Sequence, residues 1–178
     1  MLVVCSYAAS AGAEKKAGPR LKRTENAFTE FNKEEFEQDI KDPEGEGRFE
    51  AIDEAALKFW LPERFKEIEL TKEDRENGFV KYYSTEDEAS IISVSYYDAD
   101  VRTVEELKAE LEKESAVENI ETVLINGRAA VYYDVIFDDI FCLDFSADSG
   151  YVLEFTFYPL YDETFQKDIA ALIISSIQ

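Results

Sequence analysis

Histidine is absent from this chain of 178 residues. Its absence removes the side chain that titrates nearest neutral pH, the commonest zinc ligand, and every nucleophile built on a Ser–His or Cys–His pair. Cysteine is scarce, with one residue at Cys5 and one at Cys142. If the first leaves with a targeting segment, Cys142 stands alone, no intrachain disulfide can form, and the residue reads as a small apolar filler in an alternating strand. No Gly-rich phosphate loop, CxxC pair, G-x-S-x-G or HExxH motif occurs. After residue 16 no apolar run approaches the roughly 18 residues that a membrane-spanning helix requires. Basic residues are outnumbered, 19 Lys and Arg against 40 Asp and Glu, for a net charge of -21. The imbalance is uneven: residues 1–25 hold Lys15, Lys16, Arg20, Lys22 and Arg23 against Glu14 and Glu25, and everything after them is strongly acidic. Such a field repels phosphate backbones and anionic headgroups, so neither nucleic acid nor a membrane surface is an expected partner. Solubility is the ordinary use of so much negative charge.

What is present is enough for one folded domain with a sizeable core. The chain is 46% hydrophobic, with 13 Phe and 10 Tyr, which argues against disorder. At the N-terminus, "MLVVCSYAASAGAEKK" is an apolar and small-residue run ending in Ala11-Gly12-Ala13. Small side chains at the -3 and -1 positions suit signal peptidase, so residues 1–13 read as the remnant of a secretory signal cleaved after Ala13. The basic residue that usually precedes such a run is missing, as a start codon placed too far downstream would explain. The alternatives are a lipoprotein signal using Cys5, with Val4 where a small residue is needed, and an unstructured cytosolic N-terminus. Residues 14–47 read as a flexible leader carrying one short helix, "FNKEEFEQDIK", with Asn32 as its cap and Phe31 and Phe36 as a hydrophobic staple. "DPEGEG" then sets the boundary of a main domain over 48–178.

From residue 48 the apolar period becomes two. "RFEAID" and "ALKFWLP" predict a strand pair ended by Pro62, and "TKEDRENG" predicts a charged turn. "FVKYYS" and "ASIISVSYY" predict a hairpin. Thr103 to Glu106 forms a capping box opening a helix with Val104, Leu107 and Leu111 in one stripe. "IETVLI" and "RAAVYYDVIF" flank the Asn126-Gly127 turn, and two aromatic strands, "IFCLDFS" and "GYVLEFTFYP", complete a meander. A closing helix over 162–177 carries Phe165, Ile169, Leu172, Ile173 and Ile177 on one face. That helix must cover the register of Phe141, Leu143, Phe145, Tyr151, Leu153, Phe155 and Phe157. The fold class is α+β: an antiparallel sheet of about six or seven strands sandwiched by helices.

The succession "FWLPERF", "SIISVSYY", "TVEELKAEL", "VLINGRAAVYY", "GYVLEFTF" and a final "IISSIQ" resembles the PsbP-like family over residues 48–178. The same α/β/α arrangement is shared with the Ran-binding Mog proteins and with many exported bacterial proteins. The resemblance implies a non-catalytic binding or scaffolding module. The photosynthetic members hold metal partly through histidines, so that activity is not carried over to a chain that has none, and no residue aligns with the Ran-binding surface.

Carboxylates are the abundant chemical groups. Asp134, Asp144 and Glu154 fall on neighbouring strands and are expected to share the face opposite the core, where two carboxylates across a cleft suit glycoside hydrolysis. An acidic outer face also arises from solubility alone. Acidic turns offer weak calcium candidates at Asp98, Asp100, Asp138 and Asp139, with Glu86, Asp87 and Glu88 in another turn, yet none has the spaced calcium-loop pattern. Adjacent aromatic pairs (Tyr82-Tyr83, Tyr96-Tyr97, Tyr132-Tyr133) place one ring on each face of a strand; the outward rings suit a partner or glycan unless helices cover both faces. The reading that emerges is an exported, monomeric, non-enzymatic binding or assembly module of the bacterial cell envelope. It needs no cofactor, and its partner is an envelope protein. The alternative is a carboxylate-based hydrolase or a small-ligand or calcium binder using the acidic sheet face.

Overall fold

The computed structural model describes residues 29–39, 46–101, 103–135, 140–146, 150–158 and 167–178. In chain order the elements are β1 (Thr29–Phe31), α1 (Lys33–Asp39), β2 (Gly47–Ile52), β3 (Leu57–Pro62), β4 (Lys66–Glu67), α2 (Lys72–Glu76) and β5 (Phe79–Ser84). There follow β6 (Ile91–Asp98), α3 (Val104–Leu111), β7 (Val117–Ile125), β8 (Arg128–Val135), β9 (Ile140–Ser146), β10 (Tyr151–Tyr158) and α4 (Lys167–Ser175). Eight strands form one sheet in the order β1-β7-β8-β9-β10-β6-β5-β4, and β2 pairs with β3 in a separate sheet of two.

The meander expected from the turn signals is there, β7 to β10, and β6 closes on β10 in antiparallel register. The sheet departs from expectation in two ways. It has eight strands, and its β1–β7 edge is parallel. The β2–β3 hairpin lies outside it because β3 is buried on both sides. Phe59 meets Phe155 and Tyr83 of the large sheet edge-on, while its neighbour Trp60 meets Phe36 of α1. A strand with alternate residues packed in opposite directions is a middle layer.

One face of the large sheet presents Ile92, Val94, Leu153, Phe155 and Phe157 to this hairpin and to Ile169, Ile173 and Ile174 of α4. The other presents Val131, Tyr133, Val135 and Val152 to Val104, Leu107 and Leu111 of α3. Burying a residue of this size stabilises by about 1.5–3 kcal/mol, so each helix is held mainly by its apolar stripe. Thr103 accepts a hydrogen bond from the Glu106 amide (3.1 Å) and starts α3 where the capping pattern places it. The "TKEDRENG" segment corrects the reading of a plain turn. Thr71 and Asp74 cap one another and open α2, so the charged stretch is a helical turn before it closes at Gly78. Residue 177 also differs from expectation. It lies past α4, and the next residue, Gln178, exchanges two backbone hydrogen bonds of 2.9 Å with Lys58 of β3.

The boundary drawn at residue 47 is corrected too. Phe31 and Phe36 are buried in the main core, β1 is a strand of the large sheet, and Gly47 belongs to β2. A Cβ at Gly47 would overlap the Trp60 indole, so this glycine permits close packing and does not mark a linker. The anticipated signal remnant at residues 1–13 and most of the basic leader lie outside the described residues. Because Phe36 fills the core, Phe36→Ala should lower unfolding free energy by about 3 kcal/mol. Urea denaturation checks this; a change within a few tenths would show that the helix is an appendage.

Candidate functional site

Strand register decides which carboxylates meet. Glu154 of β10 stands opposite Ser95 of β6 and Asp144 of β9, and Asp144 in turn stands opposite Val131 of β8. Glu154 and Asp144 therefore occupy positions on the α3 side. Asp134 follows Tyr133 by one residue and so lies on the reverse side, in line with Tyr132 and Ala130. The expectation that Asp134, Asp144 and Glu154 share one face is corrected by this alternation: two share it, and the third is separated from them by the sheet. Nor is that face open. Asp134 is 5% exposed and Glu154 8% exposed, because elements cover both sides.

Each buried carboxylate is satisfied by neutral donors. The Tyr133 hydroxyl donates to Glu154 Oε2 at 2.9 Å and the Tyr97 hydroxyl donates to the same oxygen at 3.2 Å. On the other side, Asn119 Nδ2 donates to Asp134 Oδ2 at 2.7 Å and the Tyr132 hydroxyl donates to Oδ1 at 3.0 Å. Asn119 reaches it from the register shift between Glu118 and Glu121 in β7, with a positive φ of 56°. Burial pushes the Asp134 carboxyl above its ordinary value, and the charges of Glu118 and Glu121 push the same way, while the two hydrogen bonds oppose them.

A third, partly buried network joins the hairpin to the large sheet. The Tyr83 ring is fully buried against Phe59, and its hydroxyl lies 3.5 Å from Glu50 Oε2. Arg48 pairs with Glu50 and donates through Nη1 to the Phe65 carbonyl at 3.2 Å. Burial, then the nearby charges of Glu50 and Glu67, hold the Tyr83 proton far above its usual range, so this hydroxyl cannot ionise at neutral pH. Sequence reasoning missed this cluster because Arg48 and Glu50 lie on β2 and Tyr83 on β5, strands of two different sheets. The Arg48-x-Glu50 spacing was the one available signal.

The calcium candidates are turn-forming residues where they are described. Asp98 Oδ1 accepts from the Asp100 amide at 2.9 Å, closing a turn in which Asp100 has a φ of 54°. Asp87 Oδ1 accepts from the Thr85 hydroxyl at 2.7 Å and from the Ala89 amide at 3.2 Å, and these bonds hold its carboxyl below its ordinary value. Asp138 and Asp139 lie outside the described residues. Among those described, no group of three or more acidic or cysteine side chains is placed to hold a metal ion, and no helix is long and apolar enough to cross a membrane.

The aromatic pairs divide as predicted for successive strand residues. Tyr83 and Tyr133 are buried, whereas Tyr96 stacks on Tyr151 with centroids 5.0 Å apart and planes 21° from parallel. Tyr151 was expected in the core, yet it is 38% exposed at the end of β10, beyond the cover given by the hairpin and α4. It stands directly opposite Asp98 of β6. The pair and the carboxylate form an accessible aromatic and anionic patch.

No family model and no curated protein matches this chain. Among solved structures it is similar to the solution structure of cyanobacterial PsbP (CyanoP) from Synechocystis sp. PCC 6803. The match has 11% identity and a TM-score of 0.50, over 74% of this chain and 91% of that one. The fold is PsbP-like. At that identity the likeness concerns the arrangement of strands and helices.

The Asp134 environment makes a sign prediction. A carboxyl whose folded-state pKa exceeds its unfolded value binds its proton more tightly when folded. Stability therefore rises as pH falls through the folded value, and the gain is complete below the unfolded one. Asp134→Asn keeps the shape and removes the buried charge, and the Tyr132 hydroxyl can turn to accept from the new amide. The variant should melt higher than wild type at pH 7, and the difference should shrink as the pH is lowered toward the ordinary carboxylate range. Thermal melts at several pH values check this; a lower melting temperature at pH 7 would contradict it.

Proposed function

We propose that this chain is an exported, non-enzymatic binding or assembly module that works at or outside the bacterial cell envelope. The observation that carries the reading is the separation of Asp134 from Glu154 by the sheet, each hydrogen-bonded to neutral donors. Hydrolysis by paired carboxylates requires one proton donor and one ionised partner facing the same substrate; Asp134 and Glu154 face opposite sides, and Glu154, the buried acid of the α3 side, is occupied by the Tyr133 and Tyr97 hydroxyls. The contact site in this reading is the Tyr96–Tyr151 stack beside Asp98. Rings of this kind supply apolar area with a polar tip, and a carboxylate at their edge favours a cationic side chain. The acidic charge outside the first 25 residues selects for a basic partner surface and repels anionic ones.

Export rests on Ala11-Gly12-Ala13 before Glu14. The mature protein should begin at Glu14, as N-terminal sequencing of material from the native host will show; an intact Met1 in the cytosolic fraction would remove this part of the reading.

For the binding role, immobilised full-length protein should retain an envelope protein at low salt and release it as salt rises, since screening weakens charge complementarity. Tyr151→Ala should lower retention while Asp134→Asn leaves it unchanged. Failure to retain any partner across the salt series, or retention indifferent to Tyr151, would overturn the proposal.

A further inference from the structure

Two Asn–Gly pairs occur in the chain, and they sit in different settings. Gly78 donates its amide to the Arg75 carbonyl at 3.1 Å, and a Cβ there would already touch Tyr96 and Tyr97. Gly127 is different: it has a φ of 80°, nothing lies within 4 Å of where a Cβ would stand, and its neighbour Asn126 is exposed with a φ of 48°. Glycine is the residue whose backbone nitrogen most readily approaches the preceding side chain, because no Cβ hinders it.

Asn126 also joins three elements. Its Oδ1 accepts from the Lys33 amide of α1 at 2.7 Å, and its backbone N–H donates to the Phe31 carbonyl of β1 at 2.8 Å. Its Nδ2 donates to the Ser175 carbonyl at 2.9 Å and to the Ile177 carbonyl at 2.6 Å. These bonds fix the carboxamide as long as β1–α1 and the end of α4 stay docked, so it is not free to turn onto Gly127.

We propose that Asn126 is a guarded deamidation site that acts as a one-way latch. When the α1 and α4 ends part from the β7–β8 turn, the Gly127 nitrogen gives its proton to solvent base and attacks Asn126 Cγ. A carbon–nitrogen bond forms, the bond to Nδ2 breaks, and ammonia leaves. Water then opens the succinimide at one of its two carbonyls, giving aspartate or isoaspartate; the net change consumes one water and releases one ammonia. The product cannot close the latch again. A carboxylate has no hydrogen to donate to the Ser175 and Ile177 carbonyls, and its charge opposes both oxygens. Isoaspartate also lengthens the two-residue turn by one backbone carbon.

Peptide mapping by mass spectrometry, with full-length protein held at mildly alkaline pH, tests the latch. Conversion at Asn126 should be slower in native protein than in urea-unfolded protein, as follows for a site reached only by local opening. It should accelerate in Phe36→Ala, which loosens α1, and in wild type held in urea below its unfolding midpoint, should that variant fail to fold. Asn126→Asp should show faster hydrogen exchange in α1 and at residues 174–178 than wild type. Equal rates in native and unfolded protein, no conversion in either, or unchanged exchange in Asn126→Asp would each overturn the proposal.

Discussion

Every polar group in the middle of this molecule answers to one constraint: the large sheet is covered on both faces, so water cannot reach the side chains between its layers. The hairpin and α4 close one side and α3 closes the other. Under such cover an ionisable group must find a partner within the protein or give up its charge. Glu154 has Tyr133 and Tyr97, Asp134 has Asn119 and Tyr132, and Glu50 has Arg48 and Tyr83. The solution repeats, with a tyrosine hydroxyl carried by a ring that belongs to the apolar core and reaches a carboxylate at its far edge. Four of the ten tyrosines serve these three acids.

The second requirement is closure of the layers at one end of the sheet. There the Asn126 turn meets the start of α1 and the end of α4, and a single side chain accepts from one and donates to the other. Ser176 extends the junction: its hydroxyl accepts from the Trp60 amide at 2.7 Å and donates to the Ile173 carbonyl at 2.6 Å. The "ING" and "IISSIQ" stretches, far apart in the chain, are thus two halves of one joint. This gives a physical reason for both short segments to look distinctive in sequence.

What could be read from residues alone divides by the range of the interaction. The α3 cap, the Asn126-Gly127 turn and the apolar stripes of β5, β6, β10 and α4 are local patterns, and each was legible. Face assignment within the meander was half legible. Alternation separates Tyr133 from Asp134, but predicting that Asp134 and Glu154 lie on opposite sides needs the inter-strand register, which no single strand carries. Gly47 reads as a linker glycine until Trp60, on the partner strand, is seen against it. The inclusion of Phe31 and Phe36 in the core was hidden similarly, since two phenylalanines flanking a helix start satisfy a local staple and give no sign of a distant partner. The candidate patch was legible only as a set of outward rings, because exposure of Tyr151 depends on where the hairpin and α4 end.

The bonds between Gln178 and Lys58 carry a mechanical meaning as well. Tension applied at Gln178 would not act on α4 alone. It would also load two backbone hydrogen bonds to β3 and the Ser176 link to Trp60. A tether at this residue therefore pulls on the hairpin beside the large sheet as well as on α4, and force entering here is shared with the middle layer of the molecule.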